Sequence, residues 1–345
     1  MNPSVDYQHY LNLVSRSFAF CIDRLNSPLK ETIGLSYLLF RILDTIEDAK
    51  WSNLNDKLYF FSLFEKSILN LPTESSKLDW LNRFEKKIPD HEKQLLSVSS
   101  LLFEDLHKLN SHDRLSLQKS LVTMKNGMLK FSVKEGALRL GSIKEVNQYC
   151  FFVAGVIGEL LTDFISNLTK TRYSKAVYIN SYHFGLFLQK INILKDQSED
   201  EKDGRFLVPN REQVISSIKI NANGAINYLI NIPLEQKEYR LFCAWSLFLG
   251  LSSLPFINSS WTSKLINKIP RAMTLNLIDQ VEKLIDNNVL LEQFYLKLIQ
   301  NLNSITLPAT KEQIAVLQNN ETDSWLTHIY KGQLGQSELS LLGVV

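Results

Sequence analysis

The chain has 345 residues, 45% of them hydrophobic and 21% charged, with a formal net charge of only +2. This is the composition of an ordinary soluble globular protein, and it excludes the strongly basic face that nucleic-acid binding wants. The 3 cysteines, Cys21, Cys150 and Cys243, stand far apart among apolar neighbours. They form no disulfide framework and are expected as buried, reduced thiols.

The opening residues, MNPSVDYQHY, lack the basic start and apolar stretch of a signal peptide. From there helical periodicity is nearly continuous and strand signals are scarce. Helices are expected near 4–24, 28–49, 53–70, 88–109, 113–133, 143–168, 174–199, 211–231, 234–253, 261–284 and 287–303. In the second, Leu35, Leu38, Leu39, Ile42 and Leu43 form an apolar stripe at helical spacing. No proline falls between Pro89 and Pro209, which permits several long helices in succession. Pro28 and Pro233 read as first-turn residues after Asn26-Ser27 and Asn231. The longest apolar run, Leu241 to Ile257, is broken by serines and Pro255. It falls short of the roughly 20 residues that span a bilayer, so it reads as a buried helix. The tail after Pro308 is weakly patterned and is expected to pack late or to stay mobile. No linker or repeat appears, and a single all-α domain over 1–345 is favoured over two.

Two carboxylate pairs break this apolar logic. Asp44 and Asp48 lie four apart at the end of a strongly apolar helix, so they share one helix face. Like charges at that spacing repel, and something positive should offset them: Arg41, three residues back, or a divalent cation. Asp196 and Asp200 repeat the plan, with Gln189 and Asn192 extending a polar strip back along the helix. One Asp-x-x-x-Asp alone is commonly a solvated helix end. Two built alike point to Mg²⁺, which keeps several waters and bridges carboxylates to substrate phosphates. Two such helices facing one another would present a diphosphate with several metal ions.

Four segments then resemble the squalene/phytoene synthases: Ser15-Arg16-Ser17-Phe18, LFRILDTIED (39–48), YCFFVAGVIG (149–158) and LFLQKINILKDQSEDEKDGRFLVP (186–209). The resemblance covers roughly residues 10 to 275, and DTIED with LFLQKINILKD is closer to the squalene synthase branch. It implies an isoprenoid synthase fold around a large central cavity. It also implies a two-step reaction on farnesyl diphosphate. One molecule ionises, the alkene of the second attacks, and proton loss closes presqualene diphosphate. In the squalene branch this ionises again, rearranges and takes hydride from NADPH.

The resemblance carries roles position by position. Asp44, Asp48, Asp196 and Asp200 resemble the Mg²⁺ ligands. Arg16 and Arg41 resemble diphosphate contacts, for which an arginine fork is suited. Ser15, Ser17 and Phe18 line the same end, Tyr149 matches a tyrosine of proton handling or cation steering, and Phe242 resembles an aromatic that shields a carbocation. Gln189 and Asn192 match polar positions near metals and cofactor, while Lys268 and Arg271 fall near a basic patch able to meet phosphate.

The chain also departs from the pattern. Arg240 stands where an aromatic is expected, Ser246 replaces a proline near the cofactor, Lys195 an arginine, and Ala49 a third acidic residue. These changes bear on the NADPH-dependent half more than on condensation. Synthases that stop at presqualene diphosphate, or give dehydrosqualene or phytoene without reductant, are the alternatives within enzymes. A non-catalytic binding or assembly factor is the alternative outside them.

No GxGxxG follows a strand, so any NADPH would sit outside a Rossmann site. The 6 histidines show no zinc-like spacing. Gly155-Val156-Ile157-Gly158 reads as close helix packing. A cytoplasmic monomer is expected, with no transmembrane anchor and with peripheral membrane contact through an apolar substrate.

Overall fold

The computed structural model describes residues 2–49, 51, 53–71, 88–132, 138–262, 269–303 and 324–345. The chain divides into two compact units, residues 1–133 with 163–171, and residues 134–162 with 172–345.

The first unit holds α1 (Tyr7–Val14), α2 (Arg16–Asp23), α3 (Leu29–Asp48), α4 (Leu54–Leu69), α5 (Asp90–Ser97), α6 (Ser99–Lys108) and α7 (Ser111–Ser132). Its centre is α3, whose stripe Leu35, Leu38, Leu39, Ile42 and Leu43 is wholly buried, as its spacing predicts. Burial of a leucine or isoleucine side chain contributes about 1.5–3 kcal/mol, so this stripe alone fixes which face of α3 is internal. Three expectations are corrected here. The helix expected over 4–24 is two helices, because Ser15 takes an extended backbone (φ −163°, ψ 96°); its side chain hydrogen-bonds Tyr37 across the fold. The helix expected over 88–109 breaks at Val98 (φ −106°, ψ 6°). Pro28 sits just before α3, after a cis Ser27–Pro28 bond. Asn53 caps α4, its side-chain oxygen accepting from the Asp56 amide at 2.9 Å.

The second unit holds α8 (Ile143–Cys150), a π-helical turn (Phe151–Gly155), most of α9 (Val156–Thr169), α10 (Lys175–Lys195), α11 (Gln197–Lys202), α12 (Arg211–Asn231), α13 (Lys237–Thr262), α14 (Arg271–Leu284), α15 (Asn288–Asn303), α16 (Ser324–Ile329) and α17 (Gln336–Leu341). Two short strands, β1 (Leu138–Arg139) and β2 (Arg205–Phe206), pair in parallel, and the Arg139 guanidinium lies 3.9 Å from the Phe206 ring centre. Helix α10 is the spine of this unit. It packs against α12 and the π turn at glycine-permitted distances. A Cβ at Gly158 would stand 2.1 Å from the Ser181 carbonyl oxygen, and one at Gly185 2.4 Å from that of Ala154. The expected close-packing role of 155–158 is therefore observed.

The helix expected to stop at 253 runs on to Thr262 through Pro255. Proline removes one backbone bond, but Leu251, Leu254 and Ile257 around it are buried and hold the helix in place. The start expected at 234 is delayed to Lys237, because Pro233 forms a turn closed by the Gln236 amide at 3.0 Å. The helix expected over 174–199 ends at Lys195, and the one expected from 261 starts at Arg271. Two helical stretches, Ile143–Thr169 and Lys237–Ile257, have the length and hydropathy of a membrane span. Their apolar windows are 67% and 61% buried inside the fold, as core helices are. Residues 324–345 are not loosely attached. Leu326, Tyr330, Leu339, Leu342 and Val344 are buried, which corrects the expectation of a loose tail for this part of it.

Candidate active site

In the first unit, the last two turns of α3 carry the first carboxylate pair, Asp44 half-buried and Asp48 exposed. Arg41, one turn earlier, donates from its guanidinium to Glu92 of α5. Burial works against the Arg41 charge, but Asp44 and Glu92 more than compensate and its pKa is raised. The positive offset left open by the sequence is thus at least partly Arg41. Tyr37 lies in the same group. Burial raises its phenol, Ser15 and Arg41 oppose that, and Asp44 adds to it. Phe18 packs on Tyr37 at 5.4 Å between ring centres. Ser15, Phe18, Arg41 and Asp44, distant in sequence, are therefore gathered around one tyrosine that the motif reading did not single out. Ser17 is exposed. Arg16 opens α2, and its side chain lies outside the described residues. Behind the pair, burial lowers the Lys57 ammonium while Glu47 opposes the shift.

In the second unit, the other pair straddles a helix break. Asp196 ends α10 with φ −96° and ψ 5°, and Asp200 lies on α11. The Asp200 amide still bonds the Asp196 carbonyl at 3.0 Å, so the one-turn relation survives. Lys195 Nζ stands 3.3 Å from Asp196, an exposed contact of little stabilising value. Gly204 adopts φ 79°, a left-handed turn natural to glycine, and the chain reverses there into β2. That turn delivers Arg205. Its Nη2 donates to the Tyr149 hydroxyl at 2.7 Å, and its Nε lies 3.8 Å from Asp200. Tyr149 itself is 1% exposed, so its ring is fixed in the core at the end of α8. A hydroxyl, a guanidinium and a carboxylate thus form one line into the second aspartate pair. In the sequence Arg205 stands only as one residue of the resembling segment 186–209. The glycine before it was the available signal.

Gln189 is half-buried and Asn192 exposed on α10. Phe242 is buried and stacks on Tyr239 at 6.0 Å and 15°. Arg271 is exposed at the start of α14, and Lys268 lies outside the described residues. Ser246 only back-bonds the Phe242 carbonyl of its own helix at 2.9 Å. Arg240 is wholly buried and its guanidinium is spent on the carbonyls of Leu229, Ile232 and Ile285 and on Asn288. This departure from the family pattern is a structural staple. One more polar group sits in the core. Lys190 donates to Ser217 and, at 2.6 Å, to Asn221, which contacts His183 Nδ1 at 2.9 Å. Burial lowers Lys190 to about 8, burial and Lys190 lower His183 to about 4, and burial pushes the Cys150 thiol up to about 12.

Among the described residues no three His, Cys, Asp or Glu side chains gather into a ready-made metal cage. Each aspartate pair offers two carboxylates. That suits Mg²⁺, which takes one or two carboxylates and fills its octahedron with water and phosphate oxygens. A carboxylate also has more acceptor positions than one ammonium or guanidinium occupies, so the pairs fit this ion. Arg41 is engaged with Glu92, while Asn192 and Arg271 lie exposed on α10 and α14.

The profile of the squalene/phytoene synthases matches residues 11–213. The squalene synthase ERG9 of Candida albicans is 30% identical over 203 residues, 58% of this chain and 44% of that protein. The squalene synthase ERG9 of Saccharomyces cerevisiae is 29% identical over 279 residues, 72% of this chain and 60% of its own length. The matched part thus spans about half the length of these curated relatives. Among solved structures, TcSQS in complex with the ligand BPH1237 superposes with a TM-score of 0.72 at 21% identity, covering 90% of this chain and 94% of that one. A dehydrosqualene synthase in complex with ligand gives a TM-score of 0.50 at 18% identity, covering 80% and 94%. The expected isoprenoid synthase fold is therefore the observed one.

Proposed function

The chain belongs to the squalene/phytoene synthase family, and from that premise we propose that it joins two farnesyl diphosphates head to head, through presqualene diphosphate to squalene. Asp44, Asp48, Asp196 and Asp200 would hold Mg²⁺, which neutralises the diphosphate leaving group. Residues 1–345 would act as one catalytic domain.

The observation that carries this reading is the line from Asp200 through Arg205 to the buried Tyr149 hydroxyl. A guanidinium donating to a phenol oxygen stabilises negative charge there and leaves the O–H pointing elsewhere. Tyr149 is thereby suited to handle the proton lost when the cyclopropane closes, within reach of the carboxylates that receive the diphosphate. Arg41, already charged between Asp44 and Glu92, supplies a fork for diphosphate oxygens. Phe242 and Tyr239 present aromatic faces, which stabilise a carbocation without attacking it. Ser15, Arg16, Ser17 and Phe18 complete the substrate end. Gln189 and Asn192 border the second pair on α10. NADPH would supply the hydride of the second half, with Asn192, Arg41, Lys268 and Arg271 as its proposed contacts. The product is apolar, and the enzyme would release it at a membrane surface from the cytoplasmic side.

Incubating the purified protein with farnesyl diphosphate and Mg²⁺, with and without NADPH, tests the proposal. Squalene is expected only with NADPH, presqualene diphosphate without it, and neither after chelation of the metal. Asp44→Asn and Asp196→Asn should each abolish turnover in a folded protein; full activity in either sinks the metal assignment. A second reading, condensation without reduction, is favoured by the engagement of Arg41 with Glu92 and by the exposure of Asn192 and Arg271. One hydrocarbon in both tubes would establish it.

A further inference from the structure

Residues 324–345 grip the chain on both sides of Tyr149. On one side, Asn147 Nδ2 donates to the Gly343 carbonyl at 3.1 Å and Gln148 Nε2 to the Val344 carbonyl at 2.9 Å. Both amide side chains are buried, 4% exposed each, so these bonds are made out of water. On the other side, Phe151 meets the Tyr330 ring edge-on at 5.1 Å, and Phe152 lies against Trp325 at 5.6 Å. Tyr330 is itself locked. Its hydroxyl and that of Tyr182 both donate to one oxygen of Glu159 at 2.5 Å, and the Gln333 amide donates to the same oxygen at 3.0 Å. Burial, reinforced by Glu159, raises both phenols far above their ordinary range, so both stay protonated donors.

The chain needs such support at this place. Tyr149 is the second-last residue of α8, and the next turn is π-helical. A π turn interrupts the regular bonding ladder and persists where tertiary contacts hold it. The hydroxyl that Arg205 must meet at 2.7 Å hangs from that junction. Misplacing a reacting group by about 1 Å can cost on the order of 10²-fold in rate.

We propose that the segment 324–345 is a positioning brace for Tyr149, acting through Asn147 and Gln148 before it and Phe151 and Phe152 after it. None of these residues touches substrate in the proposal; their role is to set where the Tyr149 hydroxyl stands relative to Arg205 and Asp200. This rests on the catalytic reading of Tyr149 given above for its effect on rate, though not for its effect on geometry.

The test uses the full chain carrying Gln148→Met, which keeps length and apolar bulk and removes the donor to Val344. A second variant lacks residues 336–345. Tyrosines are labelled as 3-fluorotyrosine, and Tyr149→Phe identifies the resonance of position 149 among the 12 tyrosines. The expected result is a shifted or broadened position-149 resonance in Gln148→Met. With it should come a kcat lowered about tenfold at a temperature where the protein is fully folded, and a KM for farnesyl diphosphate within about twofold of wild type. In the deletion variant, if it folds, the same changes should be larger. An unmoved resonance with unchanged kcat, and a lower melting temperature only, overturns the proposal, because the segment then merely stabilises. If the wild type does not turn over farnesyl diphosphate, the functional reading fails, and the fluorine resonance alone decides the brace.

Discussion

Arg240 offers the sharpest test of how the second unit is held together. Its guanidinium makes five hydrogen bonds: Nε and Nη2 to Ile285 O at 3.2 and 3.0 Å, Nη1 to Leu229 O and Ile232 O at 3.0 and 2.6 Å, and Nη2 to Asn288 Oδ1 at 2.6 Å. Leu229 lies in the last turn of α12 and Ile232 just past its end, Ile285 lies just past the end of α14, and Asn288 begins α15. Helix C-termini carry partial negative charge and unsatisfied carbonyls, so one buried cation serves two of them at once. Arg240→Met keeps the length of the side chain and deletes every donor. Each charge-assisted bond contributes about 1.5–3 kcal/mol, and relief of the buried charge offsets part of the loss. Breaking a buried charged network typically costs about 3–5 kcal/mol. At about 2–4 °C per kcal/mol, the apparent melting temperature should fall by roughly 6–20 °C. Arg240→Lys keeps the charge but cannot fork across two helix ends, and should fall between. Differential scanning fluorimetry reads both. A Met variant within about 2 °C of wild type, with altered turnover instead, would refute the staple and return Arg240 to the active site.

Gly158→Ala should be costly, because its Cβ would meet backbone at 2.1 Å; loss of soluble yield or a large drop in melting temperature checks it. His183 is held at about 4 against an ordinary 6.5 by burial and Lys190. Between those values the unfolded chain binds the proton and the folded one does not. Stability should therefore drop as pH falls from 6.5 to 4, by up to about 3 kcal/mol, and His183→Asn should flatten that part of the difference profile. Lys190, lowered to about 8 from 10.5 by burial, has the same sign at higher pH. Stability should rise from pH 8 to 10.5, and Lys190→Met should remove the slope in urea titrations. Arg205→Gln should reduce kcat by about 10²-fold while the melting temperature stays close to wild type, since the Tyr149 hydroxyl would lose its guanidinium partner.

Much of this protein is legible along the chain. The apolar spacing of α3 is local information, and its stripe is buried as predicted. Asp44 with Asp48 follows from helical pitch, and Asp196 with Asp200 keeps its turn even through the break at Asp196. The glycines at 155 and 158 announce close packing because only a missing Cβ permits it. What local pattern cannot carry is partnership across long separations. Arg240 reads as a misplaced cation until two helix ends converge on it from 229–232 and 285. Helix α13 outlives Pro255 because burial outweighs one lost backbone bond. Tyr149 is marked in the sequence only by its resemblance; its partners appear where the turn at Gly204 brings Arg205 to its hydroxyl and residues 343–344 take the amides beside it. Spacing in sequence sets which side chains share a helix face. Only the tertiary structure decides which distant polar group meets them, because a buried donor must find its acceptor wherever the packed chain supplies one.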